Sequence, residues 1–203
     1  MDVSWINRDC TGDPADVFAC LGERAPAVLA IAGDPAILRE HRTGLLCSRS
    51  CPGDLILRAY DVASGLRDSG RTVVSGFHSG MEAECFRILL RGEQPIIICP
   101  ARSIENMRVK PDWREPLAEG RLLVLSPFGR KHRRVTAPLA ERRNELVAAL
   151  ADRVFVPYAE PGGKTEALCR RIVSWNTPLL TFDAGHNDNL LSMGARAVDA
   201  SLD

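Results

Sequence analysis

The sequence predicts an α/β fold, a doubly wound and mostly parallel sheet of the Rossmann-like kind, on three observations. Six short apolar runs recur along the chain, helical patterns separate them, and the runs ThrValValSer (72–75), IleIleIleCys (96–99) and ValPheVal (154–156) lack polar alternation. Strands alternating with helices imply parallel pairing through crossover helices, and strands with no polar face need helices on both sides. A chain of 203 residues, 45% hydrophobic, suffices for one ordinary core.

Taken in order, residues 1–42 break the rhythm. They carry ThrGlyAspPro, AlaPro and GlyAspPro turns around one apolar run, AlaValLeuAlaIleAla (27–32), and are expected to pack as an N-terminal extension on a Rossmann-like domain of residues 43–203. Strands are expected near 44–47, 71–75, 95–99, 121–125, 153–157 and 178–182. Between the first two, Leu55, Ala59, Val62 and Leu66 recur at helical spacing, with Pro52 in the first turn and Gly70 just past the end. A second helix starts near Gly80, where Glu82 and Glu84 suit the positive end of the helix dipole, and ends by Gly92. Helical patterns follow at 142–151 and 164–174. Beyond Asp183, AlaGlyHisAsnAspAsn reads as a loop leading to a short terminal helix.

Lysine plus arginine balances aspartate plus glutamate at 26 each, so overall charge identifies no partner and electrostatic arguments must be local. The seven cysteines (10, 20, 47, 51, 85, 99, 169) are odd in number, contain no CxxC pair and sit mostly in apolar segments, which reads as reduced thiols of a cytoplasmic protein. Cys47 and Cys51 would make half of a metal site, but no second pair follows at suitable spacing, and His41, His78, His132 and His186 are scattered. No metal and no cofactor is therefore expected. No apolar segment approaches the roughly 20 residues that span a bilayer, and no basic-then-apolar leader opens the chain, so a soluble protein with no membrane partner is expected.

Ligands of open α/β sheets bind beyond the carboxyl ends of the strands. Four of these ends carry suggestive residues. After the first come Ser48 and Arg49. After the second, SerGlyPheHisSerGlyMetGlu (75–82) joins a strand to a helix start; the turn from Ser75 to Gly80, in which Gly76 and Gly80 would allow positive φ and close approach, would bring an anion to free helix amides or would bind nothing. After the fourth, residues 126–144 hold Arg130, Lys131, Arg133, Arg134, Arg142 and Arg143 against Glu141 alone, a local charge of +5 suited to phosphates, with Phe128 as the nearby aromatic able to stack on a base. After the fifth, Gly162, Gly163, Lys164 and Thr165 suggest a P-loop, but a Walker A motif needs glycine at 158, where this chain has Tyr158. A loop entering a helix with free amides, Lys164 and the Thr165 hydroxyl is the milder reading, and a capped helix with a solvated lysine the plainer one. Nothing resembles a nucleophile elbow or a catalytic triad; Glu82, Glu160 and Glu166 are the carboxylates a hydrolase would use, though at helix starts such groups serve as caps.

The ordered motifs resemble the DNA-processing protein A family (DprA, also called Smf), over roughly residues 20–183. AlaProAlaValLeuAlaIleAlaGlyAspPro (25–35) is similar to the family's lead-in, CysSerArg (47–49) to its GlySerArg, ThrValValSerGlyPheHisSerGlyMetGluAlaGlu (72–84) to its ValValSerGly and GlyIleAsp pattern, ArgAsnGlu (143–145) to its ArgAsnArg, and AlaGluProGlyGlyLysThr (159–165) to its SerGlySer turn. The resemblance implies a single-stranded DNA-binding protein of recombination and natural transformation that loads the RecA recombinase and is not an enzyme. It implies that Arg49 grips phosphate, that the turn from Ser75 to Gly80 offers amides, that Arg130 or Lys131 adds charge, and that Arg143 with Asn144 completes the pocket. A homodimer is compatible with it. The departures are Cys47 for glycine, His78 for a small residue, Met81 and Glu82 for IleAsp, and the lack of a following winged-helix domain.

Two other classes stay open from the sequence. One is a nucleotide sensor or a nucleoside-monophosphate phosphoribohydrolase using the same strand-end pocket; ProGlyGly (161–163) is similar to the Lonely Guy phosphoribohydrolases, whose motif has a glycine between the residues that stand here as Lys164 and Thr165. The other is an adaptor that binds neither.

Overall fold

The computed structural model describes residues 2–7, 26–199 and 202. Nine strands among them form a single sheet: β1 Ser4–Asn7, β2 Val28–Ala32, β3 Arg42–Leu45, β4 Thr72–Ser75, β5 Ile96–Ile98, β6 Leu122–Ser126, β7 Arg153–Phe155, β8 Leu179–Phe182 and β9 Arg196–Val198. Six helices connect them: α1 Gly53–Asp68, α2 Gly80–Leu89, α3 Pro111–Ala118, α4 Ala137–Leu150, α5 Lys164–Ser174 and α6 Asp188–Ser192.

The strand order is β1-β2-β6-β5-β4-β3-β7-β8-β9. From β6 through β9 all neighbours are parallel, whereas β2 joins β6 and β1 joins β2 antiparallel. The α/β class and the mostly parallel sheet are as the sequence predicts. The run at 27–32 is itself a sheet strand, and strand β3 already begins at Arg42. The ThrGlyAspPro turn, Cys10 and Cys20 lie outside the described residues.

Successive strand residues point to opposite faces, and this divides the core in two. Leu46, Val74, Ile97, Leu123 and Val154 pack with Leu146, Leu150, Leu168 and Ile172 of α4 and α5. Leu45, Val73, Ile96, Ile98 and Phe155 pack with Leu55, Val62, Met81, Phe86 and Trp113 of α1, α2 and α3. The chain therefore winds outward from β3 to β6 along one face, crosses back through α4 on the other, and continues from β7 to β9. Strands β3 and β7 are adjacent but their outgoing connections diverge, which makes their carboxyl ends the topological switch point where open α/β sheets hold ligands.

No helix among the described residues is long and apolar enough to cross a membrane.

Candidate functional site

The switch point is sewn shut by main-chain bonds past the strands proper. Leu46 N–H donates to Phe155 C=O and Ser48 N–H to Tyr158 C=O, at 3.2 and 3.0 Å. Ser48, itself buried, then accepts from Glu160 N–H through its hydroxyl at 3.0 Å. Ser48 thus holds the two diverging loops together. Its neighbour Arg49 is thrown outward and is exposed.

Above these loops lies a cleft of about 730 Å³, walled by Cys47, Ser48 and Arg49 on one side, by His78, Ser79 and Glu82 at the start of α2, by Thr136, Ala140, Glu141, Arg143 and Asn144 along α4, and by Glu160, Gly163, Lys164 and Thr165 at the start of α5. Seven of the expected residues, Ser48, Arg49, Arg143, Asn144, Gly163, Lys164 and Thr165, converge there. The others stand apart. Ser75 is fully buried and caps its own turn by accepting from Phe77 N–H at 3.1 Å. Gly76 lines a neighbouring groove. Gly80 is exposed at the first position of α2, Arg130 pairs with Glu105, and Lys131 belongs to a shallow basic depression with Arg133 and Arg134. Gly162 shapes the turn before α5 with φ of 74°.

The turn from Ser75 to Gly80 does not use its glycines as the sequence suggests. Neither Gly76 nor Gly80 has positive φ; Phe77 takes that conformation at 46° and stacks on Phe86 with ring centroids 4.7 Å apart. Gly76 is required for space: a Cβ there would sit 1.5 Å from Nη1 of Arg143. The amides of the turn are not free either. His78 and Ser79 donate to Oε2 of Glu82 at 2.9 and 3.2 Å, Cys47 donates to Oε1 at 3.0 Å, and Glu82 N–H returns to the Ser79 hydroxyl at 3.1 Å. This is a capping box, enlarged by a third donor from the β3 loop. The signal is the spacing Ser79-x-x-Glu82; the sequence points to Glu82 as a dipole partner or cap, and the donors from His78 and Cys47 are what it does not show.

The turn before α5 repeats the device. Oε2 of Glu166 accepts from Gly162 N–H at 2.9 Å, and Oε1 accepts from the Asn189 amide at 2.8 Å. The Asn189 amide, then the Gly162 N–H, hold the Glu166 carboxyl below the usual carboxylate range. The first turn of α5 carries no side-chain cap at Gly163, so the amides of Lys164 and Thr165 remain toward the cleft. Lys164 itself pairs with Glu141 across the cleft.

Arg143 is the buried cation of the site, only 4% exposed. Its Nε donates to Asn144 Oδ1 at 2.6 Å and its Nη1 to Cys99 C=O at 3.1 Å. Burial pulls its guanidinium pKa down while the charge of Glu82 opposes the shift; an arginine so placed stays cationic at neutral pH. Arg143 braces the floor between α4, the Gly76 turn and the end of β5. Phe128 proves unavailable as a base platform: it is 1% exposed, packed with Ala101 and Leu139 and edge-on to His132. Around Cys47 and Cys51 no third metal-ligating group gathers among the described residues.

Compared with known proteins, residues 14–168 match the family model described as DNA recombination-mediator protein A. No curated protein matches the chain by sequence. Among solved structures, DNA processing protein A from Streptococcus pneumoniae superposes with a TM-score of 0.78 at 20% identity, covering 98% of this chain and 72% of that one. DNA processing protein A from Helicobacter pylori, solved for its single-stranded DNA binding mode, gives 0.77 at 19% identity, covering 97% and 91%. The molybdenum cofactor carrier protein from Chlamydomonas reinhardtii is more distant, at 0.54 and 14% identity, covering 80% and 92%. These identities speak for a common fold.

Proposed function

Since the chain belongs to the DNA recombination-mediator protein A family, we propose that it binds single-stranded DNA by the sugar–phosphate backbone at the β3–β7 switch point, as a non-enzymatic partner in recombination that hands the strand to a RecA-class recombinase in the cytoplasm. One observation carries the reading. Arg49 stands at the mouth of the cleft with no hydrogen bond or ion pair among the described residues, facing the uncapped start of α5. An exposed, unpartnered guanidinium beside free helix amides suits phosphate oxygens. Lys131, Arg133 and Arg134, likewise exposed and without partners, extend the positive surface beyond the cleft.

Hydrolysis of a nucleotide finds less support. Two of its candidate carboxylates, Glu82 and Glu166, are buried and occupied in holding turns.

A salt titration of a fluorescent oligonucleotide tests the proposal. Four phosphates met by Arg49, Lys131, Arg133 and Arg134 give a slope of log K against log salt of about −3 on a single strand. Replacing Arg49 with alanine removes one charge-assisted contact, which lowers affinity by about tenfold and makes the slope shallower by about 0.7. Absence of binding at low salt refutes the proposal, and a slope near −1 with equal affinity for a mononucleotide transfers the site to the nucleotide-sensor reading.

A further inference from the structure

We propose that Cys47 and Cys51 are a peroxide-sensitive dithiol, a reversible modification site that weakens the cleft's hold on a DNA strand when it is oxidised to the disulfide. This rests on the reading of the cleft as a DNA backbone site. The two cysteines enclose Ser48, Arg49 and Ser50, so the proposed ring contains the cation on which that reading depends.

Position makes the pair unlike the other described cysteines. Cys85, Cys99 and Cys169 are buried, whereas Cys47 and Cys51 are half-buried, both unbridged, and both packed on the same core cluster at the end of β3 and the start of α1. Their side chains are mutual polar partners. Cys51 immediately precedes Pro52, the N-cap of α1, at a helix terminus that has no side-chain cap and whose partial positive charge favours a thiolate nearby. Interaction with Cys47 pulls the Cys51 thiol below its ordinary value against burial and the charge of Asp54, while the same interaction, then burial and the nearby Glu82, push the Cys47 thiol up. The roles follow from this asymmetry: Cys51 attacks and Cys47 resolves.

The chemistry balances with hydrogen peroxide as the oxidant. The Cys51 thiolate attacks one peroxide oxygen, the O–O bond breaks, and the departing hydroxide takes a proton to leave as water, giving a sulfenic acid on Cys51. The Cys47 sulfur then attacks the Cys51 sulfur; the S–S bond forms, the S–O bond breaks, and the hydroxide leaves as water with the proton from Cys47. Two thiols and one peroxide become one disulfide and two waters.

The mechanical consequence follows from what is anchored. Cys47 N–H is held by Glu82, and Ser48 is held at both its N–H and its hydroxyl by the β7 loop. On the other side Cys51 leads directly into Pro52 and α1. Drawing the two sulfurs to a bond length of about 2.05 Å must be absorbed by the exposed residues between, Arg49 and Ser50. The Arg49 guanidinium is thereby turned from the cleft.

The test treats the full chain with equimolar hydrogen peroxide, maps tryptic peptides without reduction, and measures oligonucleotide binding before oxidation, after it, and after dithiothreitol. Trypsin cuts after Arg42, Arg49 and Arg58, so the disulfide joins peptides 43–49 and 50–58 with a loss of 2 Da relative to the separate thiols. The expected result is this cross-linked pair, a fall in affinity of about tenfold, the worth of one charge-assisted phosphate contact, and full recovery on reduction. Cys51→Ser is expected to bind DNA like the parent and to lose the peroxide response; Cys47→Ser, as a second variant, is expected to stop at sulfenic acid on Cys51, trapped by dimedone. Absence of the cross-linked pair in the parent overturns the modification site, whether or not DNA binds. Its presence with unchanged or stronger binding overturns the regulatory consequence. A reduced protein that binds no DNA refutes the backbone-site reading instead, and the peptide map still decides the dithiol.

Discussion

Replacing Glu82 by alanine separates a structural carboxylate from a chemical one. The side chain is 5% exposed and accepts three main-chain N–H groups, from Cys47, His78 and Ser79. Removing the acceptor strands three donors, each worth about 1–3 kcal/mol if water cannot reach them. Cys47 and Ser79 are half-buried and His78 is exposed, so water enters and the lower end applies, giving about 3 kcal/mol in total. With a urea dependence of about 2–3 kcal/mol/M for a domain of this size, the unfolding midpoint falls by about 1 M. Glutamine keeps one acceptor oxygen, which can serve His78 and Ser79 while its amide faces Cys47 N–H, so Glu82→Gln costs about 1 kcal/mol. The assay is urea unfolding followed by tryptophan fluorescence, because Trp113 packs edge-on against Phe86 of the same helix. An alanine variant within about 0.5 kcal/mol of the parent refutes the reasoning, since that is the range of an uninvolved surface change; so does a glutamine variant as damaged as the alanine one.

Further outcomes follow from the same geometry. Gly76→Ala puts a methyl group on Arg143 Nη1 and drives the guanidinium off Cys99 C=O, costing about 2 kcal/mol and lowering the thermal midpoint by about 6 °C; an unchanged melt means the turn yields instead. Gly162→Ala meets no neighbour within 4 Å, so its cost isolates the left-handed backbone at about 1 kcal/mol, read from urea unfolding. Glu166 titrates below the usual carboxylate range in the native protein, so its contribution is complete above about pH 4.3 and is lost as pH falls through the depressed native value. The stability difference between the parent and Glu166→Gln, measured by urea unfolding from pH 7 to pH 3, therefore narrows only below about pH 4.

The parts of the fold that the sequence disclosed are those whose pattern is self-contained. Leu55, Ala59, Val62 and Leu66 mark α1 by periodicity alone, and all four are buried. Helix α3 escaped because Pro111 and Pro116 lie within its eight residues and read as breaks; Pro111 is instead tolerated at the first position, where no N–H is needed, and Pro116 packs into the core beside Trp113. Strand β9 has three residues with one buried side chain, too little to show a period. The run at 27–32 was plain, but its membership of the sheet depends on antiparallel pairing with Ser126, Leu125 and Val124 nearly a hundred residues away. At the site, the strand-end rule located Arg49 and the α5 loop because it depends on topology. The fate of the turn amides depended on where one carboxylate points, and only the Ser79-x-x-Glu82 spacing hinted at it.

That carboxylate changes the logic of recognition. The turn before α2 is closed by the chain's own Glu82, and before α5 Glu166 takes the Gly162 amide, so the anion the α2 turn prefers is already supplied and only the α5 amides of Lys164 and Thr165 stay open. Of the lysine and arginine side chains lining the cleft, Arg143 is committed to Cys99 and Asn144 and Lys164 to Glu141, which leaves Arg49 as the one without a partner among the described residues. A single such cation positions one phosphate but supplies only about a tenfold gain in affinity, too little for useful binding by itself. Useful binding then requires the ligand to continue onto Lys131, Arg133 and Arg134, outside the cleft. Thr136 lines both the cleft and the basic depression, so a strand that runs from one into the other meets all four cations, and a nearly neutral cleft beside a basic loop suits a polymer on grounds independent of family.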